Sequence, residues 1–297
     1  MLGFSQAGLD ESSNIKWPTV PSFTELRLDN NNFENFELNQ LPGLTFISMV
    51  SNKLKSIDLS PAKNLEVVYF SDNEIEEAKF DNPHIWELGL AGNKLTSFSL
   101  DNLSGVQQLW LGGNNLESID VSGAPGLTTL NLLGNRLTFM TLPKPSALYK
   151  VYNYLLQQPL SVTVEDGCVV DLSEQSNVDS SETTYRWFID SPMFDEENNL
   201  IGEELMEGVE YTIDNGVTTF LDSFQNLMCV MTNPVFPDLY LYTDFINVAG
   251  SSVEELERAD NADSKWYDLQ GRLIPRPTES GLYIRRTGSK TEKIRLR

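Results

Sequence analysis

Apolar residues recur in one fixed frame six times between residues 26 and 137. In each copy two apolar residues flank a more variable one, an asparagine follows three positions after the second, and another apolar residue stands two positions beyond the asparagine. The fourth copy, for example, consists of Leu88, Leu90, Asn93 and Leu95. The asparagines are spaced by 21, 21, 20, 21 and 21 residues: Asn31, Asn52, Asn73, Asn93, Asn114 and Asn135. So constant a register predicts a repeat architecture.

The frame predicts a strand and a turn in each copy. Two apolar residues separated by one other residue follow the period of a β-strand with one buried face. The asparagine falls where the strand ends, and its amide can satisfy backbone groups that the turn leaves unpaired. One coil cannot bury its own leucines, so we expect the coils to stack as a parallel sheet. The rest of each coil is too short for a long helix, so we expect extended or 3₁₀ segments on the convex side.

The second apolar position of each copy is expected to form one buried column across adjacent strands. Its members are Leu28, Met49, Phe70, Leu90, Leu111 and Leu132. The fifth copy, Val106, Leu109, Leu111, Asn114 and Leu116, follows the pattern L-x-x-L-x-L-x-x-N-x-L. This pattern resembles the leucine-rich repeat family, in a form with repeats of about 21 residues that is similar to Bacteroidetes members. The resemblance implies a solenoid that binds a partner rather than an enzyme.

The predicted solenoid extends from residue 21 to residue 146. Counting back one repeat from Phe36 and Leu38 gives Ile15 and Trp17, which indicates an N-terminal cap over residues 1–20. At the other end, Pro143 and the proline two residues later interrupt the frame.

Residues 147–249 show strand alternation without the repeat. Asn215-Gly216 between two alternating runs is a strong signal for a hairpin turn. About seven strands are expected, and Trp187 lies where a core tryptophan of a central strand would lie. The segment therefore resembles an immunoglobulin-like β-sandwich. Cys168 and Cys229 flank Trp187, and we favour two buried free thiols over a disulfide because Cys168 comes unusually early in its strand.

Residues 250–263 have the composition of a charged linker, and residues 264–297 form a separate C-terminal β tail. The phrases Trp266–Arg272, Gly281–Ile284 and Lys293–Arg297 resemble the sorting tails of proteins exported by type IX secretion in Bacteroidetes. This resemblance implies a secreted or cell-surface protein. The sequence itself has no basic, apolar leader and no run of about 18 apolar residues, so no transmembrane segment is expected.

The charge distribution divides the chain in the same way. Residues 264–297 contain nine basic and three acidic residues, a net charge of +6. With a total of −22, residues 1–263 therefore carry −28. So acidic a body repels phosphate backbones, which makes nucleic acid a poor partner. We interpret the basic tail as surface charge on a small β module rather than as a specific anion site.

The sequence offers little for catalysis or cofactor binding. His84 is the only histidine, which excludes a two-histidine zinc site and handicaps any catalytic triad. The acidic run at 195–199 lacks the ligand spacing of a calcium loop and is more typical of a solvated loop. The two cysteines match no metal-ligand spacing. We therefore expect no cofactor, no metal and no enzymatic activity.

The strand positions that face away from the core are predicted to form a concave wall that carries aromatic residues. We expect these side chains to lie within reach of each other across neighbouring strands: Phe46, Val67, Tyr69, Trp86 and Trp110. Exposed aromatics on a rigid sheet are typical of binding hot spots. We therefore favour recognition of a protein partner. A glycan-binding module and a structural surface-layer component are the alternatives, and the neighbouring domain could instead cover these aromatics.

Overall fold

The computed structural model describes residues 2–13, 15, 23–38, 41, 43–197, 199–249, 265–278, 281–287 and 290–296. Trp17 and the expected linker at 250–263 lie outside these residues. The chain divides into two compact units. Unit 1 comprises Met1–Pro159 with Thr232–Leu241, and unit 2 comprises Leu160–Met231 with Tyr242–Arg297. In the described parts of both units the secondary structure is almost entirely β, with two 3₁₀ turns at Glu11–Ser13 and Ser173–Gln175.

Unit 1 is built on a parallel sheet of eight strands among its described residues. The order β1-β2-β3-β5-β7-β8-β9-β10 follows the chain, except that β4 and β6 pair with each other in a second, two-stranded parallel sheet. The strands are β1 (Leu2–Gly3), β2 (Glu25–Arg27), β3 (Phe46–Ser48), β4 (Ser56–Asp58), β5 (Val67–Tyr69), β6 (Glu77–Lys79), β7 (Glu87–Gly89), β8 (Gln108–Trp110), β9 (Thr129–Asn131) and β10 (Val151–Asn153). The chain therefore coils as a β-solenoid, with one strand of the main sheet per turn.

The core register of unit 1 confirms the sequence prediction. Cα partners across the sheet run from Leu26 through Ile47, Val68, Leu88 and Leu109 to Leu130, so equivalent positions of the repeat lie side by side. The predicted column just beyond the strands is completely buried in all six coils: Leu28, Met49, Phe70, Leu90, Leu111 and Leu132. Burial of these side chains between successive coils is what makes each coil depend on its neighbours.

The six asparagines are buried and bonded to backbone groups, as predicted. Asn114 shows the common pattern. Its Nδ2 donates to the carbonyl oxygens of Leu111 in its own coil, at 2.9 Å, and of Leu90 in the preceding coil, at 3.0 Å. Its Oδ1 accepts from the N–H of Leu95, also in the preceding coil, at 3.0 Å. Each asparagine thus joins two coils, which the sequence alone did not indicate.

Neighbouring asparagines also share acceptors. The Leu111 carbonyl accepts from Asn114 at 2.9 Å and from Asn135 at 3.0 Å, one amide in its own coil and one in the next. The same sharing holds at the Leu90 carbonyl, between Asn93 and Asn114. The asparagines and these carbonyls therefore form a continuous ladder along the solenoid.

The solenoid sheet extends beyond the predicted boundaries at both ends. At the N-terminal end, Leu2 and Gly3 pair with β2, and the Phe4 carbonyl accepts from Asn31 at 2.8 Å. The predicted cap at 1–20 therefore contains the strand Leu2–Gly3; Trp17 lies outside the described residues. This strand lies 24 positions before its partner in β2, outside the 21-residue period from which the cap was predicted.

At the C-terminal end, β10 pairs in register with β9, so the predicted end at residue 146 is too early. In this additional coil Tyr152 stands opposite Leu130, and Gln157 takes the role of the asparagine. The Gln157 Nε2 donates to the Leu132 carbonyl at 3.0 Å, and its Oε1 accepts from the Leu137 N–H at 3.0 Å. Because tyrosine and glutamine occupy the positions of leucine and asparagine here, the repeat pattern did not reveal this coil.

Aromatic residues complete the core at this end of unit 1. The Phe236 ring, from the segment Thr232–Leu241, lies 6.1 Å from the Phe139 ring and 5.6 Å from the Tyr154 ring, measured between centroids. Phe236 is buried, and the Tyr154 hydroxyl donates to the Pro237 carbonyl at 2.8 Å. Residues 232–241 therefore cover the last coil although they follow it by about eighty positions in sequence.

Unit 2 consists of antiparallel sheets in its described residues. A three-stranded sheet has the order β11-β17-β16, a five-stranded sheet has the order β15-β14-β18-β19 with β20 on β18, and β12 pairs with β13. The strands are β11 (Val169–Asp171), β12 (Asn177–Val178), β13 (Ser181–Glu182), β14 (Thr184–Phe194), β15 (Leu200–Glu204), β16 (Tyr211–Asp214), β17 (Val217–Phe220), β18 (Phe224–Thr232), β19 (Leu241–Tyr242) and β20 (Ile246–Val248).

Two sequence predictions for this unit are confirmed in detail. Trp187 in β14 is fully buried; its Nε1 donates to the Thr218 hydroxyl in β17 at 3.1 Å, and its ring meets Phe220 edge-on at 4.9 Å. Asn215 and Gly216 connect β16 to β17 as a two-residue turn with φ of 48° and 84°. A two-residue hairpin turn of this kind requires positive φ at both positions, and asparagine and glycine adopt positive φ at low energetic cost.

The structure places both cysteines as buried free thiols, in agreement with the preferred alternative. Burial raises the pKa of the Cys229 thiol well above its ordinary value. We therefore expect a thiol reagent to modify neither cysteine in the native protein and both after denaturation without reductant. The measurement is a titration of free thiols in native and denaturing buffer. A denatured protein without titratable thiols would establish the disulfide instead.

The C-terminal tail forms a four-stranded antiparallel sheet in the order β22-β21-β23-β24. Its strands are β21 (Lys265–Tyr267), β22 (Leu273–Ile274), β23 (Gly281–Thr287) and β24 (Lys290–Leu296). Trp266 is buried, and the Arg285 guanidinium carbon lies 5.8 Å from the centre of its ring. Within this tail Lys265–Ile274 folds back on itself, so that β21 pairs with β22.

Candidate functional site

The surface of the main sheet that points away from the core of unit 1 is the candidate site, and we call it the outer face. Its residues alternate with the buried leucines, so the register that builds the core also places them in rows. One row aligns Phe46 with Val67, Glu87 and Gln108, and a second aligns Ser48 with Tyr69, Gly89 and Trp110. The predicted residues Phe46, Val67, Tyr69 and Trp110 therefore share this face, and all four are half-buried.

Four side chains from successive coils contact each other across the outer face. The Arg27 guanidinium carbon lies 4.1 Å from the centre of the Phe46 ring. The Phe46 and Tyr69 rings meet edge to face, with 5.8 Å between centroids and 69° between planes. The Glu87 carboxylate lies near the Tyr69 hydroxyl and contributes to its raised pKa. These contacts link β2, β3 and β5 through a cation–π contact and an aromatic pair, and Glu87 in β7 continues the set.

Gly89 makes room for the Tyr69 ring. A Cβ atom added at Gly89 would lie 3.0 Å from Cδ1 of Tyr69, so a larger residue would displace the ring. Burial, and secondarily the neighbouring Glu87 carboxylate, raises the pKa of Tyr69 to about 12. The phenol is therefore protonated at neutral pH and can act as a hydrogen-bond donor on this face.

The two tryptophans do not join this aromatic contact. Among the described residues neither Trp86 nor Trp110 makes a ring contact with Phe46 or Tyr69, so the expected cluster of four aromatics is only partly formed. Gly89 separates Trp110 from Tyr69 in the second row, a gap of two strand spacings or about 10 Å. Trp86 precedes β7, and alternation along the strand places it in the phase of the buried Leu88 rather than of Glu87.

Sequence reasoning placed the charged members on the outer face but did not select them as site residues. Glu25, Arg27 and Asp29 occupy successive outward positions along β2 and just beyond it. Asp29 Oδ1 accepts hydrogen bonds from the Ser48 hydroxyl and from the Val50 N–H. Oε2 of Glu25, in contrast, is buried and has no hydrogen-bond partner among the residues that the structure describes. The repeat register that identified the aromatic positions also gives the positions of these charged residues. Their hydrogen bonds could not be predicted from the sequence.

His84 and the acidic run at 195–199 were the other candidates from the sequence. His84 is exposed in a turn. Asp195 accepts from the backbone N–H groups of Glu197 and Asn199, and these hydrogen bonds shape the local turn. In the part of the chain that the structure describes, no group of three or more histidine, cysteine, aspartate or glutamate side chains could hold a metal ion. The same residues include no helix long and apolar enough to cross a membrane.

The stacked coils, the parallel sheet and the asparagine ladder define a mainly β solenoid consistent with leucine-rich repeat architecture. No protein-family profile matches the chain, and no curated protein matches it. Similar solved structures are leucine-rich repeat proteins. The APL1 leucine-rich repeat domain is 24% identical, with a TM-score of 0.39, over 48% of this chain and 39% of that one.

Two Listeria monocytogenes proteins are also similar. The functional domain of InlJ is 14% identical, with a TM-score of 0.41, over 76% of this chain and 58% of that one. InlP is 18% identical, with a TM-score of 0.46, over 84% of this chain and 70% of that one. The chain thus spans less than two thirds of the APL1 and InlJ structures.

Proposed function

We propose that this protein is a non-enzymatic binding protein that recognises a protein partner through the outer face of its solenoid. The contacts of Arg27 with Phe46 and of Phe46 with Tyr69 carry the proposal. Arginine and tyrosine are enriched in the hot spots of protein interfaces. Here both are half-buried on a sheet and already ordered by contacts with their neighbours. A preorganised surface loses little side-chain entropy when a partner binds.

The geometry of the aromatic pair favours a protein over a glycan. A glycan platform of the kind expected from the sequence needs coplanar rings spaced like sugar units. Phe46 and Tyr69 instead meet at 69°, and the Arg27 guanidinium occupies the position over the Phe46 ring. A glycan-binding module and a structural surface-layer component without a discrete ligand remain the alternatives, and the experiment below distinguishes them.

The proposal includes a secreted or cell-surface location in a bacterium of Bacteroidetes type. Its support is the resemblance of the C-terminal tail to type IX sorting tails. The part of that resemblance that begins at Trp266 lies in the tail sheet of this protein. We also propose that the antiparallel unit is an immunoglobulin-like sandwich that serves as a spacer. The Trp187–Thr218 hydrogen bond, which joins its five-stranded sheet to its three-stranded sheet, supports this assignment.

The test is a binding screen against a random peptide display library and, in parallel, an array of immobilised glycans. For peptides that the wild type selects, the double variant Tyr69→Ala/Trp110→Ala should lose about 2 kcal/mol or more of binding free energy, roughly 30-fold in Kd. Affinities would be measured by surface plasmon resonance. The reason is the loss of two large amphipathic side chains from the centre of the face.

The matched control is Met140→Ala/Leu148→Ala, which removes two exposed apolar side chains from unit 1 outside the main sheet. It should bind the selected peptides as the wild type does. Exclusive selection of glycans would support the alternative module. Selection of neither class, or peptides indifferent to the Tyr69→Ala/Trp110→Ala variant, would contradict the proposed function.

A further inference from the structure

The charges of the outer face are unevenly distributed. Among its described positions from β2 to β10, only four residues are charged, and all lie in the coils of β2 to β7: Glu25, Arg27, Asp29 and Glu87. Three carboxylates thus accompany one guanidinium. Beyond them the face is neutral, with residues such as Gln108, Trp110 and Asn131. A partner that matches this face must complement the acidic end.

The contacts within the face decide which carboxylate is available. Asp29 Oδ1 is occupied by the Ser48 hydroxyl and the Val50 N–H. Glu87 lies near the Tyr69 hydroxyl, but a carboxylate has acceptor sites on both oxygens, so this neighbour does not preclude a cation. Arg27 could neutralise Glu25, but its guanidinium lies over Phe46. Among the described residues Oε2 of Glu25 has no hydrogen-bond partner, and it is shielded from solvent. A buried carboxylate oxygen without a donor is a costly arrangement, and rotation of the carboxylate toward a partner's cation would relieve it.

The row that contains Glu25 has a simple pattern. Register places Glu25 beside Phe46, Val67 and Glu87 on four successive strands. Two carboxylates therefore flank an apolar pair, and three strand spacings separate them by about 14 Å. In an extended peptide, side chains four residues apart on the same face are also separated by about 14 Å. An extended segment crossing the strands can therefore reach both carboxylates at once.

We infer that the outer face selects an extended segment of a partner protein with the pattern basic-x-apolar-x-basic, whose two cations pair with Glu25 and Glu87. The apolar side chain between them packs against Phe46 and Val67. This inference rests on the proposed function and adds the chemical class of the partner. The net charge of −28 over residues 1–263 favours the approach of such a basic segment.

The test uses the peptides selected from the random display library by the full-length wild-type protein. We expect enrichment of lysine or arginine on both sides of an apolar residue at the stated spacing. Glu25→Gln, which keeps the shape and removes the charge, should weaken these peptides about 10-fold or more, and Glu87→Gln should weaken them as well. Raising the salt concentration should weaken binding to the wild type more than binding to either variant.

The matched control is Glu117→Gln, the same change at an exposed residue outside the outer face; it should leave the affinity unchanged. Thermal unfolding of each variant verifies folding. Two outcomes would overturn this inference and leave the proposed function standing. In the first, the selected peptides are acidic or neutral. In the second, they bind Glu25→Gln and Glu87→Gln as tightly as the wild type but no longer bind Tyr69→Ala/Trp110→Ala. Peptides indifferent to Tyr69→Ala/Trp110→Ala would overturn the proposed function itself.

Discussion

Replacing Leu111 by alanine is expected to lower the free energy of unfolding of unit 1 by about 2–5 kcal/mol. Leu111 is completely buried in the column between Leu90 and Leu132. Truncation removes apolar contacts and leaves a cavity that the coils on either side cannot fill, because their backbones are held in register by the sheet. The measurement is chemical denaturation followed by circular dichroism, with the full chain.

The exposed Leu148 provides the control for this substitution. Leu148→Ala makes the same chemical change at a position without core contacts, so it should alter stability by less than about 0.5 kcal/mol. Equal effects of the two substitutions would mean that Leu111 does not contribute to a packed column, and the solenoid register would then be wrong.

Replacing Asn114 by alanine is expected to cost about 3 kcal/mol, because its three hydrogen bonds connect two coils. The three partners do not suffer equally. The carbonyls of Leu90 and Leu111 each retain a second donor, from Asn93 and Asn135. The Leu95 N–H loses the acceptor Asn114 Oδ1 and becomes a buried donor without a partner, which is the largest part of the cost.

The shared carbonyls make a second substitution cooperative with the first. In the double variant Asn114→Ala/Asn135→Ala, the Leu111 carbonyl loses both side-chain donors, so the loss of stability should exceed the sum of the single losses by about 1 kcal/mol. Denaturation of the wild type, both single variants and the double variant gives this interaction energy. Asn32→Ala, at an exposed position, is the control and should have little effect. Strict additivity would argue against the shared ladder.

The two substitutions test different contributions to the same architecture. The Leu111 substitution measures how much packing between coils contributes to stability. The Asn114 substitution measures the contribution of hydrogen bonds to backbone groups where the strands end. Because the repeat places both residues in every coil, stability should be a sum over neighbouring coils. Neither side chain lies on the outer face, so a destabilised but folded variant should retain its partner. Binding and stability can therefore be separated experimentally.

The binding face shows where prediction from the sequence reached its limit. Alternation with the buried leucines was enough to assign Phe46, Val67, Tyr69 and Trp110 to one face. It could not show that the Tyr69 ring fills the space above Gly89, nor that Arg27 lies over Phe46. These contacts depend on side-chain conformations chosen between coils. The repeat period constrains the position of each Cα atom but not the rotamer of its side chain.

By itself, the sequence determined the register, the buried columns and the burial of the six asparagines, because in the interior of a repeat every coil meets the same neighbours. Residues 21 positions apart therefore have the same packing environment, and the same residue types occupy it. Only the tertiary structure decided how the solenoid ends. A terminal coil has one repeat neighbour instead of two, so Leu2–Gly3, Gln157 and Phe236 complete it without obeying the frame. Such contacts depend on which distant segment the folded chain brings to the open end, and no local period encodes that.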